Sequence, residues 1–298
     1  MYKFLLVILL SLYVRLVNAQ SIYPVLMEQF DNGLHFLNPA KPLNNNYFEC
    51  MVADKRYYGL FENIGVNYFS GKLNVSTQSS KSNIVSLNFV HEYDGDYLNR
   101  NRMNFGYLFQ TNINNNAQIG LGITGGLFNY FVKSTSSNVG VSVWLSDANT
   151  GVWFKNKFVN LGLAMNQFTN AADKLYLRTI QLRPFYVLNF DYQYHYKPQF
   201  SLKPGFIFRK FNLENQMDVF LLANNNKHLS AGVNWKINRG YAFIFGLENM
   251  EIFNQQFNIT TSYSVQNISE SSFNSNQLEL CLKYFIKNKF KNDVTSKP

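Results

Sequence analysis

An export signal, a succession of segments alternating apolar with polar residues, and no long apolar run behind the signal predict an all-β fold. The predicted architecture is an outer-membrane antiparallel β-barrel of about 14 strands, within about 12–16, since such barrels normally use an even number. The chain opens MYKFLLVILLSLYVRLVNAQ, with Lys3 ahead of an apolar run from Phe4 to Leu10 and Val17-Asn18-Ala19 as a small-residue cleavage site. That layout is a secretory signal over residues 1–19, cut before Gln20. Arg15 makes it a poor membrane helix, and no Cys follows the cut to carry a lipid. No later segment approaches the roughly 20 apolar residues that a spanning helix needs. In a membrane, the exported chain must therefore close its strands into a barrel, because only helices and barrels pair every backbone group in lipid.

Residues 20–45 are expected as an N-terminal segment, periplasmic or lumenal, residues 46–286 as the barrel, and residues 287–298 as a basic periplasmic tail. Along the barrel the dyad pattern recurs. Val85, Leu87 and Phe89 share a face, as do Met103, Phe105, Tyr107 and Phe109. Ile119, Leu121 and Ile123 alternate with Gly120, Gly122 and Thr124, and Val139, Val141 and Val143 with Gly140, Ser142 and Trp144. Val159, Leu161, Leu163 and Met165 alternate with Asn160, Gly162, Ala164 and Asn166. The clearest hairpin sets Tyr186, Leu188, Phe190, Tyr192, Tyr194 and Tyr196 against Val187, Asn189, Asp191, Gln193 and His195, then turns at Lys197-Pro198-Gln199. Further strands centre on Ala231, Phe243, Ile259 and Leu280.

Alternation alone also suits a soluble sandwich, so the opposite face decides. Asn160, Asn189, Asp191, His195, Lys203, Arg209 and Glu248 stand opposite the apolar residues and are assigned to a polar lumen. Tyr194, Tyr196, Trp235 and Tyr241 crowd the apolar face near turns, where amphipathic rings form girdles at the headgroup levels. Aromatics at 17% against charged residues at 15% fit long half-apolar strands. If the last strand ends in the periplasm, the 168–178 and 266–276 connections lie outside and the 155–157 and 197–199 turns inside.

The formal charge of +9 carries no base-reading motif, so nucleic acid is not an expected partner. Cys50 and Cys281 fall in the first and last strands, so a disulfide across the barrel seam is a hypothesis. Gly120-Leu121-Gly122-Ile123-Thr124-Gly125 matches a dinucleotide fingerprint, but its glycines lie within a strand and no helix pattern follows. The expected role is instead a lumen-facing surface whose small residues let the barrel wall curve or let another backbone approach closely. His91-Glu92-Tyr93-Asp94-Gly95-Asp96 lacks calcium-loop spacing, and no local motif singles out a nucleophile. Neither catalysis, a metal nor a cofactor is expected.

The motif order resembles the PorP/SprF family of type IX secretion system outer-membrane proteins across most of the mature chain. Asn38, Pro39 and Ala40 in MEQFDNGLHFLNPA match the family's Asn-Pro-Ala element, and Arg56 in KRYYGL its Arg-containing strand end. Asp147 to Gly151 resembles its central Asp-x-x-x-Gly element, Pro204 in SLKPGFIFRK its Leu-x-Pro strand, and Glu279 in QLELCLKYF its closing strand. Tyr57 and Tyr58 stand where the family often has Gln-Trp, and a basic tail follows the closing strand. The resemblance implies a non-enzymatic role in secretion and, in some members, gliding. Implied partners are the outer-membrane bilayer, a secreted adhesin-like cargo bearing a C-terminal secretion domain, and other type IX or peptidoglycan-linked periplasmic components. The polar lumen alone leaves a passive porin for small solutes as the alternative.

Overall fold

Fourteen antiparallel strands close on themselves in the computed structural model, which describes residues 20–21, 26–43, 46–59, 63–76, 81–114, 116–134, 139–175, 178–197, 199–212, 214–225, 228–252, 255–267 and 274–287. Residues 1–19, where an export signal was expected, the residues after 287 and most of the 266–276 connection lie outside the described residues. In chain order the strands are β1 (Asn46–Tyr58), β2 (Ile64–Asn74), β3 (Lys81–Asp94), β4 (Leu98–Asn114) and β5 (Ala117–Val132). Next come β6 (Val141–Asn156), β7 (Val159–Asn166), β8 (Phe185–Tyr192, resuming as Tyr194–Lys197), β9 (Phe200–Lys210) and β10 (Asn215–Asn225). The ring ends with β11 (Leu229–Lys236), β12 (Gly240–Ile252), β13 (Gln255–Asn267) and β14 (Asn274–Lys287). Each strand pairs with its chain neighbour, and β14 pairs with β1 from Asn276↔Tyr58 to Lys287↔Asn46, so no edge remains to face lipid.

The dyad pattern sorts the wall into two faces. On β6, Val143, Leu145, Asp147, Asn149, Gly151 and Trp153 are buried inward while Trp144, Thr150 and Val152 are exposed outward. Phe105, Leu121, Leu163, Phe245 and Leu280 are likewise exposed on the outer face, which suits a lipid solvent. Trp235 and Tyr241 stand opposite each other beside the Asn238 turn, and Tyr194 and Tyr196 project at the other end. The same parity separates the cysteines. Cys50 registers with outward Tyr284 and Cys281 with inward Ala53, so the thiols occupy opposite faces and are free. The seam disulfide is therefore corrected: adjacent strands bridge only through residues that share a face.

Two local irregularities have chemical causes. Pro204 lacks an N–H, and the β8–β9 ladder that reaches Asp191↔Gly205 resumes only at Tyr194↔Leu202. Asn249 adopts φ 52° where the β12–β13 register shifts between Leu247 and Met250, a bulge beside Glu248.

The connection 167–184 is the longest, which marks its end of the barrel as extracellular, since outer loops exceed periplasmic turns. On that side β4, β5 and β6, of 17, 16 and 16 residues, rise above the 8-residue β7. β6 pairs with β7 only from Thr150 to Lys155. The loop fills the space above β7. Its hairpin, Ala172–Leu175 with Arg178–Gln181, sends Leu175, Ile180 and Leu182 onto Phe128, Tyr130, Val143 and Leu145. Gln20–Ser21 adds to this hairpin as a parallel third strand at Ile180–Gln181. Gln20–Ser21 thus lie at the extracellular mouth and residues 26–43 in the lumen, whereas β1 begins at the periplasmic end.

Candidate functional site

What fills the barrel is residues 26–43, so the N-terminal segment is a plug. Helix α1 (Phe30–Leu37) crosses the lumen from the β13–β14 side to the β5–β7 side. Phe30, Leu34, Leu37, Ala40 and Leu43 form one buried cluster with inward residues of the wall, among them Ile84, Trp153, Val187, Ile207, Phe220 and Ile244. Phe30 stacks on Phe220 with ring centroids 3.6 Å apart. Each large apolar side chain sealed in this way stabilises the docked plug by about 1.5–3 kcal/mol before ordering entropy is subtracted.

The extracellular end of the plug is held by charge. The Glu28 carboxylate lies 2.6 Å from Lys55 Nζ and is also bound by Lys236 Nζ, with all three side chains buried. The Glu279 carboxylate accepts the backbone N–H groups of Glu28 (2.9 Å) and Gln29 (3.2 Å). The Gln29 amide donates to the Thr260 carbonyl at 3.0 Å. Burial alone would raise the Glu28 pKa, but the two lysines override it and hold the carboxyl at about 2.

At mid-barrel the Asn38-Pro39-Ala40 turn sits against bare backbone. Asn38 Oδ1 accepts the Ala40 N–H at 2.9 Å, and Asn38 Nδ2 donates to the Val152 carbonyl at 3.2 Å. Asn166 Nδ2 donates to the Leu37 carbonyl at 2.9 Å, pairing an otherwise open acceptor at the helix end. The wall opposite is made of glycine. A Cβ on Gly122 would stand 2.4 Å from the Pro39 carbonyl carbon, and one on Gly151 2.2 Å from Asn38 Oδ1. Gly120 and Gly162 are closed in by Ala40 and Asn38 in the same way. The alternating glycines of β5 thus serve a close backbone approach. Beside them Asp147 pairs with Arg102 Nε at 2.9 Å and accepts from Asn104 Nδ2 at 3.3 Å.

Below the plug lies a vestibule of about 440 Å³, lined by the periplasmic ends of the strands and by α1. Lys203 Nζ meets Asp31 at 2.9 Å, and Lys41 binds both the Asp31 carboxylate (3.5 Å) and its carbonyl. Burial opposes ionisation of Asp31, yet Lys203 and Lys41 keep its carboxyl well below the usual range. Asn160 Nδ2 donates to Asp191 at 2.6 Å, and Lys283 pairs with Glu49 at 3.6 Å. The His35 pKa is pushed well below its ordinary value by burial first and then by Lys72, Lys283 and Lys41.

The residues singled out from sequence are thus divided. Asn38, Pro39, Ala40, Gly151 and Glu279 converge on the plug, with Asp147 alongside. Asn160, Asp191, Lys203 and Glu248 line the vestibule, Asn189 is buried against Gly162, and Arg209 pairs with Asp218 at 2.7 Å higher in the lumen. His195, assigned to the lumen, pairs in register with Ser201 on the β8 continuation and is exposed at the periplasmic end of the strand. Arg56 and Pro204 face outward, Arg56 pairing with Asp54 at 2.8 Å. The residue that reaches the plug is its neighbour Lys55, and together with Glu28 and Lys236 it went unread in the sequence. Dyad parity at Arg56 was the signal that could have found it.

A family described as type IX secretion system membrane protein PorP/SprF matches residues 19–284, nearly the whole chain. The chain belongs to this family. It is therefore an outer-membrane protein of the type IX secretion class, and its barrel neighbours agree. The solved "CymD monoaromatic hydrocarbon channel" is 10% identical, with 88% of this chain and 93% of that one covered and a TM-score of 0.59. A TodX ΔS2S3 mutant monoaromatic hydrocarbon channel is 9% identical, covering 86% and 94% at a TM-score of 0.56. The Ralstonia pickettii toluene transporter TbuX is 8% identical, covering 85% and 92% at a TM-score of 0.51. At such identities the likeness is one of fold. Among curated proteins, none matches the chain.

Proposed function

We propose that this PorP/SprF-family barrel is a non-enzymatic docking component that anchors an exported surface protein, adhesin-like and bearing a C-terminal secretion domain, at the outer membrane. The observation that carries the reading is the built-in plug. The family's Asn-Pro-Ala motif is used in locking residues 26–43 into a glycine-lined wall, and Leu175 and Ile180 of the outer hairpin pack on the inner residues of β5 and β6. A barrel filled in this way offers a rigid platform rather than a water-filled path. Membership of a secretion family supplies the class of partner, and contact with peptidoglycan-linked periplasmic components belongs to the same proposal.

Deleting the gene should strip one specific surface protein while small-solute uptake is unchanged. An unaltered surface proteome would sink the reading. The porin alternative makes the opposite demand: purified protein in planar bilayers would show steady conductance, whereas the plugged barrel should remain closed.

A further inference from the structure

The vestibule holds an imbalance of charge that the docking role does not use. Lys41, Lys72, Lys155, Lys203 and Lys283 line it against Asp31, Glu49, Asp191 and Glu248, leaving one cation in excess. The excess falls at Lys72. Its side chain is buried at 7% exposure, it has no carboxylate within 4.0 Å among the described residues, and its hydrogen bond is a long one of 3.4 Å to the Lys41 carbonyl. Glu49, a nearby carboxylate, is engaged by Lys283. A second donor is also idle: the indole N–H of Trp153 is buried at the cavity wall with no acceptor among the described residues. Burial chiefly depresses the His35 pKa, and Lys72, Lys283 and Lys41 push it further down. Leaving an ammonium buried and unpaired costs stability, and such costs are characteristically borne where a ligand relieves them.

We propose that the periplasmic vestibule is an oxyanion site in which Lys72, flanked by Lys41 and Lys283, holds a carboxylate or phosphate group presented from the periplasm. The cavity of about 440 Å³ is within the range of small-ligand pockets, about 300–1,000 Å³. A lysine acts here as a point charge and accepts either oxyanion geometry. The site lies on the opposite side of the plug from the outer mouth, so it stands independently of which surface protein the barrel anchors.

The test uses the mature chain folded in zwitterionic detergent. Replacing Trp144 and Trp235, which face outward, by Phe leaves Trp153 as the sole indole, since the chain has three Trp. Sodium phosphate, sodium acetate, and a short peptide with a free or amidated C-terminus are titrated against sodium chloride at constant ionic strength. Saturable change in Trp153 emission with phosphate but not acetate or peptide assigns a phosphate group. Saturation with acetate and the free-acid peptide, lost on amidation, assigns a carboxylate. Lys72→Met should weaken either response about tenfold or more, the loss of one charge-assisted contact. Lys72→Arg should retain it, and Lys174→Met on the outer hairpin should leave it untouched. Lys72→Met should also raise the apparent unfolding temperature in ligand-free buffer, showing that the variant folds. Oxyanion responses no different from chloride, or binding undiminished in Lys72→Met, would overturn the site.

Discussion

The two ends of the plug are both held by lysines and carboxylates, yet they are built differently. At the extracellular end, Glu28 is closed between Lys55 and Lys236, and Glu279 takes the backbone N–H groups beside it. Those groups are dry and matched, so their Coulomb attraction offsets desolvation and fixes a position. At the periplasmic end, the lysines surround open space and one of them, Lys72, has no carboxylate partner among the described residues. The same residue types make an anchor where paired and a receptive surface where left in excess.

The largest effect should come from attacking what both ends share, the glycine-lined middle. Gly122→Val places a side chain inside the Pro39 carbonyl group, where ordinary overpacking already costs about 1–3 kcal/mol. The shift needed here exceeds a simple repacking, so the plug should leave its seat. Planar-bilayer recordings should then show conductance that the native barrel lacks. A closed Gly122→Val barrel would mean that the wall yields more readily than the plug.

Next in size is the dry anchor. Glu28→Gln leaves two buried lysines without their counter-charge, a loss of about 3–5 kcal/mol. Heat-modifiable gel mobility should report a clearly lower unfolding temperature, and protease should reach the plug sooner. An unchanged transition would place the plug's hold in the apolar cluster instead.

Acid should act on the same pair with a definite sign. The folded Glu28 pKa of about 2 lies below its ordinary 4.5, so the unfolded chain binds the proton more readily. Stability from this group is fully present above about 4.5 and is lost as pH falls toward 2, with a span on the order of 3 kcal/mol. Comparing unfolding temperatures at pH 6 and pH 3 in native and Glu28→Gln proteins tests this. The native protein should lose more on acidification.

The smallest effect is expected at Arg56, although it belongs to the family-like motif. Its pair with Asp54 is half exposed on the outside of the barrel. Arg56→Ala should shift stability by no more than about 0.5–1 kcal/mol. A large loss of surface cargo without a stability change would instead mark Arg56 as a partner contact.

Much of this was legible in the chain because a β-wall is written locally. Alternation along Val159–Asn166 tells which side chains share a face, and aromatic residues near turns tell which face meets lipid. The motif Asn38-Pro39-Ala40 could be noticed, but its seat could not. Gly120 and Gly122 on β5, Gly151 on β6 and Gly162 on β7 are spread over more than 40 positions and become one surface only after the strands pair in register. Lys55 was hidden by a single step of parity beside the more conspicuous Arg56. Glu28, Lys55 and Lys236 carry no spacing signal at all, since their meeting depends on the plug being inside.

The sequence by itself determined the strand periodicity, the strand number to within two and the lipid-facing side, all of which follow from residue order within one segment. The tertiary structure alone decided that the N-terminal segment fills the lumen, that the cysteines stand on opposite faces, and that Lys72 is left over. Each of those depends on which distant strands a side chain faces across the barrel. Closure of the ring sets that, and no local pattern records it.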